Sequence, residues 1–131
     1  MIVDTSVLVA VAAAEPSTPA LRVILQSEHP LAMSAGSYLE TFLVADRHPN
    51  ALVARAMDAL IKSARIIIEP FTAAQALIAR NAYRDFGKGS GHPAQLNFGD
   101  CFSYALAIDT DRPLLFVGND FNHTDVRVAG Y

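Results

Sequence analysis

Met1-Ile2-Val3-Asp4-Thr5-Ser6-Val7-Leu8-Val9-Ala10 begins as a strand and turns into a helix within a few residues. Met1–Asp4 reads as a short apolar strand. Thr5 is placed to cap a helix over Ser6–Ala14, which Glu15-Pro16 ends, because a residue before proline is held out of the helical region. The same alternation continues down the chain. Pro19 suits a first helical turn, so a helix is expected over Pro19–Ser27, broken by His29-Pro30. Leu31–Met33 is a candidate strand. Ser34 then caps a helix that carries Tyr38, Leu39, Phe42 and Leu43 and stops near His48-Pro49. Asn50 caps the next, with Leu52, Ala56, Ala59 and Leu60 on one stripe. The β-branched Ile66–Ile68 reads as a strand. Thr72 opens a helix to about Phe86, and Gly87–Gly91 is the most loop-like stretch. A helix from about Phe98 to Ile108, a last core strand at Leu114–Val117 and a short edge at Val126–Val128 complete the pattern. Strands alternating with helices predict an α/β fold: a short central parallel sheet covered on both faces, a three-layer α/β/α sandwich. Ligand sites in such sheets lie beyond the carboxyl ends of the strands.

The 131 residues fit one compact domain, 1–131. Hydrophobic residues make up 52% and charged residues 18%, enough to fill a core and contrary to disorder. The net charge of -3 excludes a global basic field of the kind that marks many nucleic-acid binders. Cys101 is the one cysteine, so no internal disulfide forms, and no Cys/His spacing suggests zinc. The early apolar run Val7–Ala14 is too short to span a bilayer and has no basic segment before it, so the chain reads as cytoplasmic.

Four acids occupy telling places. Asp4 ends the first strand, where an ordinary helix cap would also account for it. Glu40 lies in an apolar helix, and its helical neighbours Gly36, Ser37, Leu43 and Val44 offer no cation. Asp100 sits in the first turn of its helix, where the helix dipole also favours a negative charge. Asp120 follows the last core strand, as a turn residue would. In a parallel α/β fold all four can open toward the same sheet edge. Carboxylates gathered there repel and need a counter-charge, which a hard divalent cation supplies. Oxygen ligands without Cys or His favour Mg²⁺ or Mn²⁺. Such an ion polarises a phosphodiester and makes hydroxide available near neutral pH.

Several segments resemble one family. Met1-Ile2-Val3-Asp4-Thr5-Ser6 resembles the opening of a PIN domain, and Ser34-Ala35 followed by Glu40 is similar to its second acidic segment. Phe86-Gly87-Lys88-Gly89, His92-Pro93-Ala94 and Leu96-Asn97-Phe98-Gly99-Asp100-Cys101-Phe102 resemble a subgroup of VapC-type toxins. So do Leu115-Phe116, Gly118-Asn119-Asp120-Phe121 and Thr124-Asp125. The resemblance runs over nearly the whole chain in order. It implies the PIN-like α/β/α sandwich and a Mg²⁺-dependent endoribonuclease that hydrolyses RNA phosphodiester bonds, with Mn²⁺ able to substitute. It further implies the toxin of a type II toxin–antitoxin pair, a homodimer held in a larger complex by its cognate antitoxin. Residue by residue, it places catalytic and metal-binding acids at Asp4, Glu40, Asp100 and Asp120. Asp4 and Asp100 would ligate directly, and Glu40 would ligate through water or orient the nucleophile. Either Asn119 or Asp120 could face the site. Thr5 and Ser6 could add hydroxyl contacts, although helix capping explains them equally well.

Arg80 and Arg84 lie one helical turn apart, with Lys88 and His92 following, and are candidate phosphate contacts for RNA, against an ordinary solvated basic face. Tyr83 or Phe86 could stack a base or pack in the core. Val7, Leu8, Leu21, Val23, Ile24 and Leu25 supply apolar surface either for a dimer or antitoxin contact or for the chain's own core. Two other functions compete. An aspartyl-phosphate enzyme needs a second acid two residues after the first, where Ser6 stands. A PIN-like binding module for RNA or antitoxin, its catalytic site decayed, would lack a metal ligand, yet the acids are present. Gly87-Lys88-Gly89-Ser90-Gly91 lacks the strand–loop–helix setting of a P-loop.

Overall fold

Ile2 and Val3 point to opposite sides of one strand, and both are fully buried. A strand so placed must be covered on two faces. The structure, a computed structural model, describes residues 1–130. Its elements are β1 (Ile2–Val3), α1 (Thr5–Ala12), α2 (Thr18–Leu25), β2 (Ala32–Ser34), α3 (Ala35–Ala45), α4 (Leu52–Ser63), β3 (Ile67–Glu69), α5 (Ala73–Phe86), α6 (Asp100–Thr110) and β4 (Leu114–Leu115). The strands form a parallel sheet in the order β3-β2-β1-β4, with Ile2 beside Ala32 on one flank and Leu114 on the other.

The alternation of side chains along the strands divides the core in two. Val3, Leu31, Met33 and Leu115 pack against Val7, Leu8, Val11, Leu21, Leu25 and Ile61, so α1, α2 and α4 cover that face. Ile2, Ala32 and Leu114 pack against Ala82, Tyr104, Leu106 and Ala107, so α5 and α6 cover the other. This is the expected α/β/α sandwich.

Of the two uses open to the early apolar residues, the chain's own core takes most of them. Val7, Leu8, Leu21 and Leu25 fill the core at 0–2% exposure, Ile24 is half-buried, and only Val23 stands out in solvent. The sheet and the helices α1, α2 and α4 meet over the buried ones.

The regular elements are shorter than the apolar runs that encode them. The last strand keeps only Leu114 and Leu115, because the Val117 N–H turns to the Ser6 hydroxyl, 3.0 Å away. The Val126–Val128 edge is reduced to a parallel bridge between Val128 and Leu114. Asp4, not Thr5, caps α1, and its side chain accepts the Ser6 N–H. The helix begun near Phe98 becomes regular at Asp100, after a reciprocal cap in which Asn97 and Asp100 each bond the other's N–H, at 2.9 and 2.8 Å. At Gly36, a methyl group would overlap the Phe102 ring, so this glycine sets how closely α3 approaches α6. Among the described residues, no helix is long and apolar enough to cross a membrane.

Candidate active site

Because every strand of the sheet runs the same way, the segments that leave the strand ends emerge at one edge. Asp4 comes directly after β1. Glu40 lies in the second turn of α3, which continues from β2 without a linker. Asp120 lies in the turn past β4. Asp100 reaches the same edge from the opposite direction, because α6 runs back across the sheet before feeding β4. These four acids, with Thr5, Ser6, Val9, Glu15, Asn97, Val117 and Phe121, line one open cavity of about 310 Å³. Among the described residues, no basic side chain lines it.

Asp4 is 5% exposed and is held from two sides. One carboxylate oxygen, Oδ2, accepts the Ser6 N–H at 2.9 Å and the Ser6 hydroxyl at 2.6 Å. The other, Oδ1, accepts the hydroxyl of Ser103 at 2.6 Å. Asp4 is therefore both a helix cap, worth about 0.5–2 kcal/mol, and a wall of the cavity. The two roles do not compete, since the cap uses one oxygen and leaves the carboxylate edge facing the site.

Asp100 is half-buried. Burial drives its carboxyl upward from the ordinary 3.8 to about 7; the hydrogen bond from the Asn97 N–H opposes this, and the charges of Asp4, Asp120 and Glu40 add to it. Glu40 is also raised, first by burial and then by Asp4. Its carboxylate lies against Gly99, where a methyl group would overlap both oxygens. Gly99 thus lets the Glu40 carboxylate sit beside the start of α6.

Of the pair after β4, Asp120 lines the cavity. The side chain of Asn119 instead accepts the Asn122 amide at 3.1 Å, closing its own turn. The Ser6 hydroxyl is engaged by Asp4 and Val117, and the Thr5 hydroxyl bonds the Ser37 carbonyl and Thr41 of α3. The basic candidates are not among the residues that line this cavity. Arg84 pairs with its neighbour Asp85, Arg80 lines a separate apolar groove with Phe71, Tyr83 and Phe98, and Lys88 lies in the exposed loop.

Sequence reading missed Glu15, Gly99, Ser37 and Ser103. The serines carried a signal: each is buried in an otherwise apolar helix, three residues from an acid. The carboxylates ring the cavity rather than meeting at one point. Among the described residues, no three acidic, His or Cys side chains stand close enough to share one ion in their present rotamers. Their chemistry nevertheless fits a hard divalent cation, being all oxygen and mutually repulsive.

The raised Asp100 carboxyl has a consequence for stability. The folded protein holds that proton more tightly than the unfolded chain. The contribution is therefore complete below the ordinary 3.8 and is lost as pH rises through about 7. Without divalent ions, the melting temperature is expected to fall across this window. Asp100→Asn should flatten the fall and stabilise the protein at pH 8 by about 1–2 kcal/mol, discounted for solvent reaching the cavity. Thermal melts in chelator from pH 4 to 8 measure this; equal slopes for both proteins would refute the electrostatic strain.

Comparison with known proteins agrees with this architecture. The PIN domain family model matches residues 1–127. Ribonuclease VapC28 of Mycobacterium tuberculosis is 51% identical over 129 residues, covering 98% of this chain and 97% of the relative. The crystal structure of M. tuberculosis VapC20, a sarcin-ricin loop cleaving toxin, superposes with a TM-score of 0.73 at 19% identity, covering 98% of this chain and 97% of that one. VapBC2 from Rickettsia felis, bound to a DNA fragment from its promoter, gives a TM-score of 0.75 at 13% identity, covering 99% and 97%. The matched family spans the sheet edge and all four acids, and the chain belongs to the PIN-domain family, among its VapC members.

Proposed function

We propose that this chain is a Mg²⁺-dependent endoribonuclease, with Mn²⁺ able to substitute, that hydrolyses RNA phosphodiester bonds as the toxin of a type II toxin–antitoxin pair. The observation that carries the reading is the cavity itself: the carboxylates of Asp4, Glu40, Asp100 and Asp120, joined by Glu15, with Asp100 pushed up to about 7 and, among the described residues, no cationic side chain in the lining. VapC28 is named a ribonuclease, and it shares half its sequence with this chain.

Asp4 and Asp100 would hold the ion directly, and Glu40 and Asp120 would complete the oxygen set. When bound, Mg²⁺ or Mn²⁺ supplies Lewis acidity at the phosphodiester and the counter-charge that the acids need. The Ser6 N–H and hydroxyl hold the Asp4 carboxylate at the end of β1, where it would face the ion. The Asn97–Asp100 cap does the same for Asp100. Glu40, whose carboxyl is raised by burial and Asp4, orients the attacking water and accepts its proton at a carboxylate oxygen.

The antitoxin reading has its own support. A solved structure with the same fold is a toxin–antitoxin complex from Klebsiella pneumoniae, with a TM-score of 0.70. Val9 lies at the rim of the acidic cavity and also in an apolar groove with Ala12, Val44, Val53 and Met57. An antitoxin segment lying in that groove is within reach of the acids, where an arginine would displace the ion. The toxin is a homodimer, which the antitoxin gathers into a larger assembly. Light scattering of the protein alone, then with antitoxin, is expected to show a dimer and a larger complex that cleaves no RNA. A monomer, or a complex with undiminished cleavage, would remove this part of the reading.

Purified, antitoxin-free protein is expected to cut total cellular RNA into discrete products with Mn²⁺ or Mg²⁺. Chelator should stop cleavage, and Asp4→Asn or Asp100→Asn should reduce it by orders of magnitude, since each removes charge that holds the ion. RNA bound but uncut by the folded, metal-supplied protein would instead favour a binding module whose catalytic site has decayed.

A further inference from the structure

Behind the acids lies a chain of buried hydroxyls. Ser103 donates to Asp4 Oδ1 at 2.6 Å, and the Ser103 and Ser37 hydroxyls are 3.0 Å apart. Ser37 and Ser103 are both fully buried. A serine has one hydroxyl proton. Ser103 spends its proton on the carboxylate, so Ser37 is the donor between the two serines. The order is Ser37 to Ser103 to Asp4, and each bond polarises the next.

The placement of these serines ties the site together. Ser103 stands three residues after Asp100 on α6, on the same helix face. Ser37 stands three residues before Glu40 on α3, again on the same face. One buried hydroxyl chain thus joins the three elements that carry Asp4, Asp100 and Glu40. On the other side of Asp4, the Ser6 hydroxyl accepts the Val117 N–H at 3.0 Å and so reaches the segment leading to Asp120. Ser6 and Ser103 together occupy three of the roughly four acceptor positions of the Asp4 carboxylate. The last torsion of an aspartate is otherwise broad and two-fold. Here the unoccupied lone pair belongs to Oδ1, the oxygen that Ser103 holds.

We propose that Ser103, backed by Ser37, is a positioning residue that fixes the Asp4 carboxylate in the orientation needed to receive a divalent cation. This rests on the metal-dependent reading above. Ser103 touches neither substrate nor ion. It acts through Asp4, and Ser37 acts through Ser103. That ordering has a consequence mere packing lacks. Once Ser103 has lost its hydroxyl, removing the hydroxyl of Ser37 should no longer affect metal binding.

The test is calorimetric titration of Mn²⁺ into the RNA-free, full-length protein, with thermal melts run in parallel. Wild type, Ser103→Ala, Ser37→Ala, the double variant and Ser103→Thr are compared. Ser103→Ala is expected to weaken Mn²⁺ binding roughly 10- to 100-fold, as loss of a group supporting a metal ligand does elsewhere. Ser37→Ala should weaken it less, and the double variant no more than Ser103→Ala alone. Ser103→Thr, which keeps the hydroxyl, should recover most of the affinity. If Ser103→Ala does not fold, weaker binding by Ser37→Ala beside near-normal binding by Ser103→Thr supports the role. Folded serine-to-alanine variants that bind Mn²⁺ as wild type does, even with lowered melting temperatures, would overturn the positioning role and leave the metal-dependent reading intact. A wild type that binds no Mn²⁺ would overturn both.

Discussion

The Asp4 carboxylate, gripped on one oxygen by Ser6 and on the other by Ser103, is the point on which the structure turns. Burying a carboxylate is costly unless its oxygens are bonded. Here the three bonds come from two sides, from Ser6 on α1 and Ser103 on α6, and each partner ties in a further element. The Ser6 contact begins α1 and draws in the segment after β4. The Ser103 contact draws in α6, and Ser37 draws in α3 behind it. The parallel sheet brings these elements to one edge, and the hydroxyls set their spacing there.

The same arrangement gathers like charge. Asp100 is pushed up to about 7 by burial and by the three other acids, and Glu40 is raised as well. A fold selected for stability alone would place a lysine or arginine among them; the cavity lining contains none among the described residues. Strain of this kind is typical of functional sites, where electrostatic cost in the resting protein is returned on binding. The glycines serve that end too. Gly36 admits the Phe102 ring and Gly99 admits the Glu40 carboxylate, so α3 and α6 approach closely enough for their acids to share a cavity.

Much of this was legible in the sequence. The strand–helix alternation defined the layers, because period and punctuation are local properties. Glu40 and Asp100 stand out because their helical neighbours carry no charge, and Asp4 because it ends the first strand. What could not be read was nonlocal. Nothing in Asn119-Asp120 says which side chain turns inward; the Asn122 amide decides it by engaging Asn119. Ser37 and Ser103 look like incidental polar residues until two helices are packed together. The glycine at position 99 looks like a helix opening until Glu40 is laid against it. Whether Val7, Leu8, Leu21 and Leu25 face the core or a partner depends on how many layers cover the sheet, which no local pattern states. Nor does nearness in sequence say whether Arg80 lines the cavity; it lies along the groove with Phe71, Tyr83 and Phe98.

The most direct test is to crystallise the protein with Mn²⁺ and record anomalous scattering at the manganese edge. The account predicts a peak in the acidic cavity, about 2.0–2.2 Å from oxygens of both Asp4 and Asp100, with Glu40 and Asp120 turned toward it. Clear density for the four acids with no anomalous peak among them, at millimolar Mn²⁺, would contradict it.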